Sequence, residues 1–200
     1  MTRPRIRSLF FGTPEIAVPA LRALAETTEL VGLVAQPDRP AGRGLEVNPV
    51  PTKALALELG IPVHQPTKVK TPDFAEWVRA QQADIAVVMA YGRILPAGVL
   101  SAPRLGYVNL HASLLPRHRG AAPINWAIAE GDAETGVCLM QMDEGMDTGP
   151  VFARRAVPIA DSDTTARAAA TSSRFTARIL LRMSDIQSLV WGRLPSPLLR

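Results

Sequence analysis

The sequence predicts an α/β domain built on a mostly parallel sheet with helices on both faces. Three observations predict it. Strand-like and helix-like segments alternate along the first 160 residues. The strand-like runs, such as Ile85-Ala86-Val87-Val88-Met89, are apolar throughout, as expected of strands covered on both sides. Glycine and proline stand between the runs, where the chain must turn.

Ser8-Leu9-Phe10-Phe11 is a short strand ended by Gly12. Pro14 suits the start of a helix, because the N–H it lacks has no partner in a first turn. Helical spacing then runs over 16–25, and Leu30-Val31-Gly32-Leu33-Val34 is a second buried strand. Residues 36–51 form a long Pro/Gly-rich loop. Loops of that length without structure of their own are often functional, a solvated connection being the alternative. Thr52 is placed to cap a helix through Leu59, closed by Gly60. A brief strand at 61–63, a helix at 72–81 and strands at 84–90 and 105–110 follow. The pattern continues with a helix at 122–129 and strands at 135–142 and 150–158. Residues 165–190 can form one amphipathic helix capped by Asp163, and 191–200 are Pro-rich with apolar residues that have no evident place to be buried. In sheets of this type ligands sit beyond the carboxyl ends of the strands. The loops after Phe11, Val34, Met89, Leu110 and Met142 are therefore expected to gather at one edge.

Composition narrows the class. With 47% hydrophobic residues in 200, the chain can build a real core. The net charge of +4 points to a polyanionic partner, but its distribution weakens that inference. Residues 1–160 hold 16 Lys or Arg against 15 Asp or Glu, while 161–200 hold six against three. A single cysteine, Cys138, excludes an internal disulfide and fits a reducing compartment. The basic start is followed by an apolar stretch broken at Pro14 and Glu15, unlike a secretory signal. No apolar run approaches the roughly 20 residues of a membrane helix. The expectation is a soluble, cytoplasmic monomer with no membrane partner.

Asn109 and His111 stand two apart at the end of an apolar strand, so both side chains share one face. An amide can hold a developing oxyanion, and an imidazole beside it can donate or accept a proton. A satisfied structural histidine is the alternative. The run Ser113-Leu114-Leu115-Pro116-Arg117-His118-Arg119-Gly120-Ala121-Ala122-Pro123 has a backbone fixed by two prolines and a glycine. Such a segment suits the preformed wall of a site for a flat ligand. Arg117 and Arg119 could meet a carboxylate or phosphate, or simply be solvated. His64, with Pro62 and Pro66 near it, reads as structural, and His118 between two arginines reads as exposed. Asp143, Glu144 and Asp147 lack the spacing of a calcium loop and have no His or Cys near them, so no metal is expected. An acidic tight turn is the simple account of them. Gly12-Thr13-Pro14 lacks the further glycines of a dinucleotide fingerprint, so NAD is not inferred.

Several of these segments together resemble the folate-dependent formyltransferases. They are Phe11-Gly12-Thr13-Pro14-Glu15, Gln36-Pro37-Asp38-Arg39-Pro40-Ala41-Gly42-Arg43-Gly44, the stretch from Asn109 to Pro123, and Met142 to Gly149. The likeness covers roughly 6–160, and the second segment resembles the tRNA-directed branch. The resemblance implies a Rossmann-like formyltransferase fold, with 10-formyltetrahydrofolate as donor and initiator methionyl-tRNA as acceptor. It implies Asn109, His111 and Asp147 as the catalytic set, and Ser113, Leu114, Leu115 and Pro116 as folate contacts. It also implies that the 36–51 loop reaches the tRNA through Arg43. A carboxylate at Asp147 beside His111 would favour the charged imidazole and fix its orientation.

Two features depart from the family. After about Asp163 a Leu-rich helix is replaced by Ser/Thr/Arg-rich sequence, read as a truncation or frame change with a divergent helix as the alternative. The family's C-terminal β-barrel domain is expected to be absent, leaving 1–160 as the catalytic domain and 161–200 as a helical or partly disordered tail. Leu45 and Glu46 also stand where lysines are frequent. The competing readings are a formyltransferase for a small amine, and a folate-binding domain with little turnover.

Overall fold

The computed structural model describes residues 5–41, 46–160 and 162–181. β1 (Arg7–Gly12) leads through a 3-10 turn (Glu15–Ala17) into α1 (Val18–Thr27). Next come β2 (Glu29–Val34), the two-residue strands β3 (Pro40–Ala41) and β4 (Glu46–Val47), α2 (Pro51–Glu58) and β5 (Val63–His64). The middle of the chain forms α3 (Pro72–Ala80), β6 (Ile85–Met89), the short α4 (Ala97–Leu100) and β7 (Tyr107–His111). It closes with α5 (Pro123–Ala129), β8 (Glu134–Gln141), β9 (Val151–Pro158) and α6 (Thr165–Leu181).

Seven strands make one sheet in the order β5-β2-β1-β6-β7-β8-β9. The pairs from β5 through β7 are parallel, and β8 and β9 are added antiparallel. Alternate residues along each strand enter two separate cores. Phe10, Ile85, Val87, Met89, Val108 and Leu110 pack with α1 and α2 on one side. Phe11, Ala86, Val88 and Tyr107 pack with Phe74, Ala75 and Val78 of α3 on the other. Burial on both faces is why these strands carry no polar alternation.

Several boundaries move from where the sequence puts them. Pro14 precedes the 3-10 turn, and the proline in the first turn of an α-helix is Pro19. Thr52 lies inside α2, whose cap position is Val50. Its buried hydroxyl donates to the carbonyl oxygens of Gly12 (2.9 Å) and Thr13 (3.2 Å), tying α2 to the β1 turn. Asp163 does not cap α6: the Thr164 hydroxyl accepts from the Arg167 N–H, while Asp163 accepts from Ala160 N–H and pairs with Arg167. Residues 182–200 lie outside the described residues, so the end of the helix expected over 165–190 does too.

Helix α6 packs along α1 and also meets α5, β8 and β9. Its buried face carries Ala168, Ser172, Thr176 and Leu180. Residues this small let two helices approach closely without a large side chain between them. Arg155 of β9 lies over the Phe175 ring at 5.3 Å, a cation–π contact. Among the described residues no helix is long and apolar enough to cross a membrane.

Residues 36–51 are not structureless. Pro40 pairs with Val47 and Ala41 with Glu46 in a small antiparallel ladder. The base of the loop is held by polar contacts: Gln36 N–H donates to Thr13 Oγ1 (3.1 Å), and Gln36 Nε2 donates to Tyr91 O (2.8 Å). Asp38 accepts from Val50 N–H and Gln65 Nε2 and forms an ion pair with Lys53. Burial works against the charge on Asp38, but the hydrogen bonds from Lys53, Gln65 and Val50 together hold its carboxyl below the usual range.

Candidate active site

At the carboxyl edge of the parallel strands lies a cavity of about 500 Å³. Five chain segments line it: Ile16 of the 3-10 turn, the end of β6 with residues 90–95, the end of β7 with Ala112, residues 120–123, and 142–147. The loops after Met89, Leu110 and Met142 do converge here. Ala90 (φ +49°) and Gly92 (φ +75°) turn the chain sharply out of β6, which brings Tyr91, Arg93, Ile94 and Leu95 round to form one wall. Ile94 and Met146 are exposed.

The end of β7 presents Asn109 and His111 to this cavity. The loop between β8 and β9 brings Asp147 to them, with Asp147 itself in the left-handed region at φ +53°. Asn109 Nδ2 donates to Asp147 Oδ1 at 3.2 Å, and Asp147 Oδ2 lies 3.4 Å from His111 Nδ1. Asp147 Oδ2 also accepts the Gly120 N–H at 2.8 Å. The side chains of His111 and Asp147 are 6% and 14% exposed, so their interaction is poorly screened by solvent.

The far side of His111 is equally constrained. Its Nε2 lies 2.9 Å from the carbonyl oxygen of His118. A carbonyl only accepts, so this contact assigns the proton to Nε2 and leaves Nδ1 facing Asp147. The group thus offers an amide donor of fixed orientation, an imidazole held at both ring nitrogens and a carboxylate. This is a set for stabilising negative charge on an oxygen and for moving one proton.

Residues 5–183 match the profile of a family described as formyl transferase. The chain belongs to this family.

The chain is 58% identical over 193 residues to the methionyl-tRNA formyltransferase of Sorangium cellulosum, covering 96% of this chain and 61% of that protein. It is 58% identical over 166 residues to the methionyl-tRNA formyltransferase of Myxococcus xanthus, covering 83% of this chain and 53% of that one. The chain therefore spans between about half and three-fifths of these relatives. The crystal structure of phosphoribosylglycinamide formyltransferase from Streptococcus pneumoniae superposes with a TM-score of 0.73 at 21% identity, covering 92% of this chain and 99% of that one. The fold is thus the Rossmann-like fold of that enzyme. The family match continues past residue 160, where the likeness was expected to end, and includes α6.

Within the chain the residues singled out from sequence separate into three groups. Asn109, His111 and Asp147 come together. Ser113, Leu114, Leu115 and Pro116 are not among the residues lining the cavity. Ser113 is buried and its hydroxyl donates to Arg117 O at 2.7 Å, and Leu115 is buried with Cys138 and Met140. Leu114 lines a shallower hollow beside Arg117 and Asp132, and Pro116 is exposed. Arg43 lies outside the described residues.

His118 is not exposed, contrary to the sequence reading. Its side chain is 8% exposed, and Nε2 lies 2.7 Å from Asp132 Oδ2. Arg117 meets carboxylates, as its type suggests, pairing with Glu130 (2.9 Å) and Asp132 (2.6 Å). The hydrogen bond from His118, reinforced by Arg117, holds the Asp132 carboxyl below its usual range against a smaller desolvation effect. Among the described residues, His118, Glu130 and Asp132 alone place three metal-type ligand atoms within 4.8 Å of one another. There the Arg117 guanidinium already supplies the positive charge. His64 is structural: it stacks on Trp77 at 4.1 Å, and burial pushes its pKa below 6.5. Sequence reasoning did not single out Arg93, Ile94 and Leu95 as cavity residues. Their signal was the Ala90-Tyr91-Gly92 turn directly after a strand.

Proposed function

We propose that this chain transfers a formyl group from 10-formyltetrahydrofolate to the amino group of initiator methionyl-tRNA. The observation that carries the reading is the convergence of Asn109, His111 and Asp147 on one cavity. A volume of about 500 Å³ with apolar and a few polar groups suits a flat heterocycle. The names of relatives 58% identical to this chain support the tRNA as acceptor.

In the proposed reaction the amine nitrogen forms a bond to the formyl carbon, and the carbonyl electron pair moves onto oxygen. Asn109 and His111 stabilise that oxygen. Asp147 pairs with His111 and takes the amine proton, directly or through water. The tetrahedral intermediate then collapses, the bond from the formyl carbon to the folate N10 breaks, and N10 is protonated. Burial of the set strengthens each of these interactions relative to water. The run Ser113 to Pro116 contributes to folate binding by shaping the loop that follows it, whose residues 120–123 line the cavity. The 36–51 loop, clamped at its base through Asp38, carries Arg43 toward the tRNA. The protein acts as a cytoplasmic monomer without a bound metal.

The test is formyl transfer by the purified chain from 10-formyltetrahydrofolate to charged initiator tRNA, with a free small amine alongside. The expected result is transfer to the tRNA that weakens with rising salt, as basic contacts to phosphate require. Faster transfer to the small amine would remove the tRNA assignment. Folate binding without transfer to either acceptor would leave only a binding domain. Transfer by His111→Ala at the original rate would remove the catalytic assignment.

A further inference from the structure

His118 does not line the cavity, yet its backbone touches the centre of it. The carbonyl of His118 holds His111 Nε2, and two residues on, the Gly120 N–H holds Asp147 Oδ2. One short loop therefore braces both members of the His111–Asp147 pair. His118 adopts φ +53°, a conformation that a residue with a Cβ keeps only when its surroundings enforce it. The enforcing contact is visible: the buried His118 ring is bonded to Asp132 in the turn between α5 and β8, and Arg117 grips the same carboxylate.

We propose that His118 and Asp132 are a positioning pair that holds the His111 ring through its Nε2–H, with Nδ1 presented to Asp147. The pair acts through the loop. Asp132 fixes the His118 ring, the ring fixes the left-handed turn, and the turn aims the carbonyl at His111. Without the ring contact the residue relaxes toward an ordinary conformation and the carbonyl leaves Nε2. His111 Nε2–H then loses its acceptor, and the ring is free to turn away from Asp147. The Ser113 hydroxyl holds the neighbouring carbonyl of Arg117, so it stabilises the start of the loop without setting the turn at 118.

The proposal rests on the reading of His111 as the residue that faces the reacting carbonyl, and the test separates the two. His118→Phe keeps a ring in the same space and removes the donor. His118→Gln keeps a donor near the position of Nε2. In nitrogen-15-labelled protein, long-range proton–nitrogen spectra report the hydrogen bonding of the two His111 ring nitrogens with no substrate present. We expect a hydrogen-bonded Nε2–H in the unaltered protein, a shifted Nε2 signal in His118→Phe, and the original pattern in His118→Gln. In formyl transfer, His118→Phe should lower kcat about tenfold while the folate KM stays within about twofold, because residue 118 does not touch the cavity. His118→Gln should return kcat to within about threefold of the original. Asp132→Ala should match His118→Phe, and the double variant should be no slower than either single one, as for two parts of one device. An unchanged His111 nitrogen spectrum in His118→Phe overturns the proposal, and so does a double variant whose loss is the product of the two. Absence of formyl transfer by the unaltered protein counts against the proposed function alone, and the nitrogen spectrum then decides the positioning role.

Discussion

Replacing Asp147 by Asn changes one atom, and the geometry says why it should matter. Both carboxylate oxygens of Asp147 act as acceptors: Oδ1 takes the Asn109 amide, and Oδ2 takes the Gly120 N–H and faces His111 Nδ1. An asparagine has one oxygen and one NH₂. If its oxygen stays with Gly120, its NH₂ confronts the NH₂ of Asn109. Asn109 must then rotate its amide to present oxygen, which turns its donor away from the direction it now holds. If the asparagine is reversed, the half-buried Gly120 N–H loses its acceptor. Either way at least one charge-assisted hydrogen bond disappears, worth roughly 1.5–3 kcal/mol. That alone is about a 10- to 100-fold loss in rate, at 1.36 kcal/mol per factor of ten. Removal of the charge facing His111 adds to it, so a total loss of about 10²- to 10³-fold is expected. The assay is single-turnover formyl transfer at saturating 10-formyltetrahydrofolate and charged tRNA, which reads the chemical step without product release. A rate within about threefold of the original would refute the account, because the hydrogen-bond network could not then matter to the transition state.

Gly136→Ala should destabilise the fold by about 2–3 kcal/mol, seen as a lower urea midpoint. Its Cβ would collide with the backbone oxygen of Arg155 across the β8–β9 ladder, which cannot yield without breaking the ladder, and would also displace the Leu114 side chain. His64 is held below 6.5 by burial, so protons bind the unfolded chain more readily than the folded one. Stability should therefore fall as the pH drops below 6.5, and a His64→Phe protein should show a flatter urea midpoint between pH 7.5 and about pH 5. Cys138 is fully buried and burial pushes its thiol pKa up, so a disulfide reagent should leave it unreacted in the folded protein and modify it at once in denaturant.

Much of the fold was legible because strong local signals and the tertiary structure agree. The strand Ile85–Met89 is a continuous apolar run, and it is central in the sheet with both faces covered. Thr71 caps α3 with its hydroxyl, and Gly60 and Gly131 adopt positive φ where helices end. The less legible features depend on partners distant in sequence. Thr52 has the residue type of a cap, but 40 residues away the β1 turn offers carbonyls that its hydroxyl binds instead. His118 has arginine on each side and reads as solvated, yet Asp132 sits where the ring can be buried against it. Helix α6 was expected from its periodicity, but its packing was not: its neighbour α1 comes close enough for alanine, serine and threonine to fill the contact.

The sequence by itself determined the α/β class, the order of the main strands, and the placing of Asn109 and His111 on one face of a strand end. Each of these follows from backbone periodicity, which local residues set. It also carried the motifs by which the chain resembles its family. Only the tertiary structure decided that Asp147 meets both residues from 36 positions beyond His111, and that the Ser113 to Pro116 run stands behind the cavity and not in its wall. It likewise decided that the His111 imidazole is held from behind by the backbone of His118. Hydrogen bonds and ion pairs of this kind have a reach of a few ångströms in space and no fixed reach along the chain, so no local pattern encodes which groups will meet.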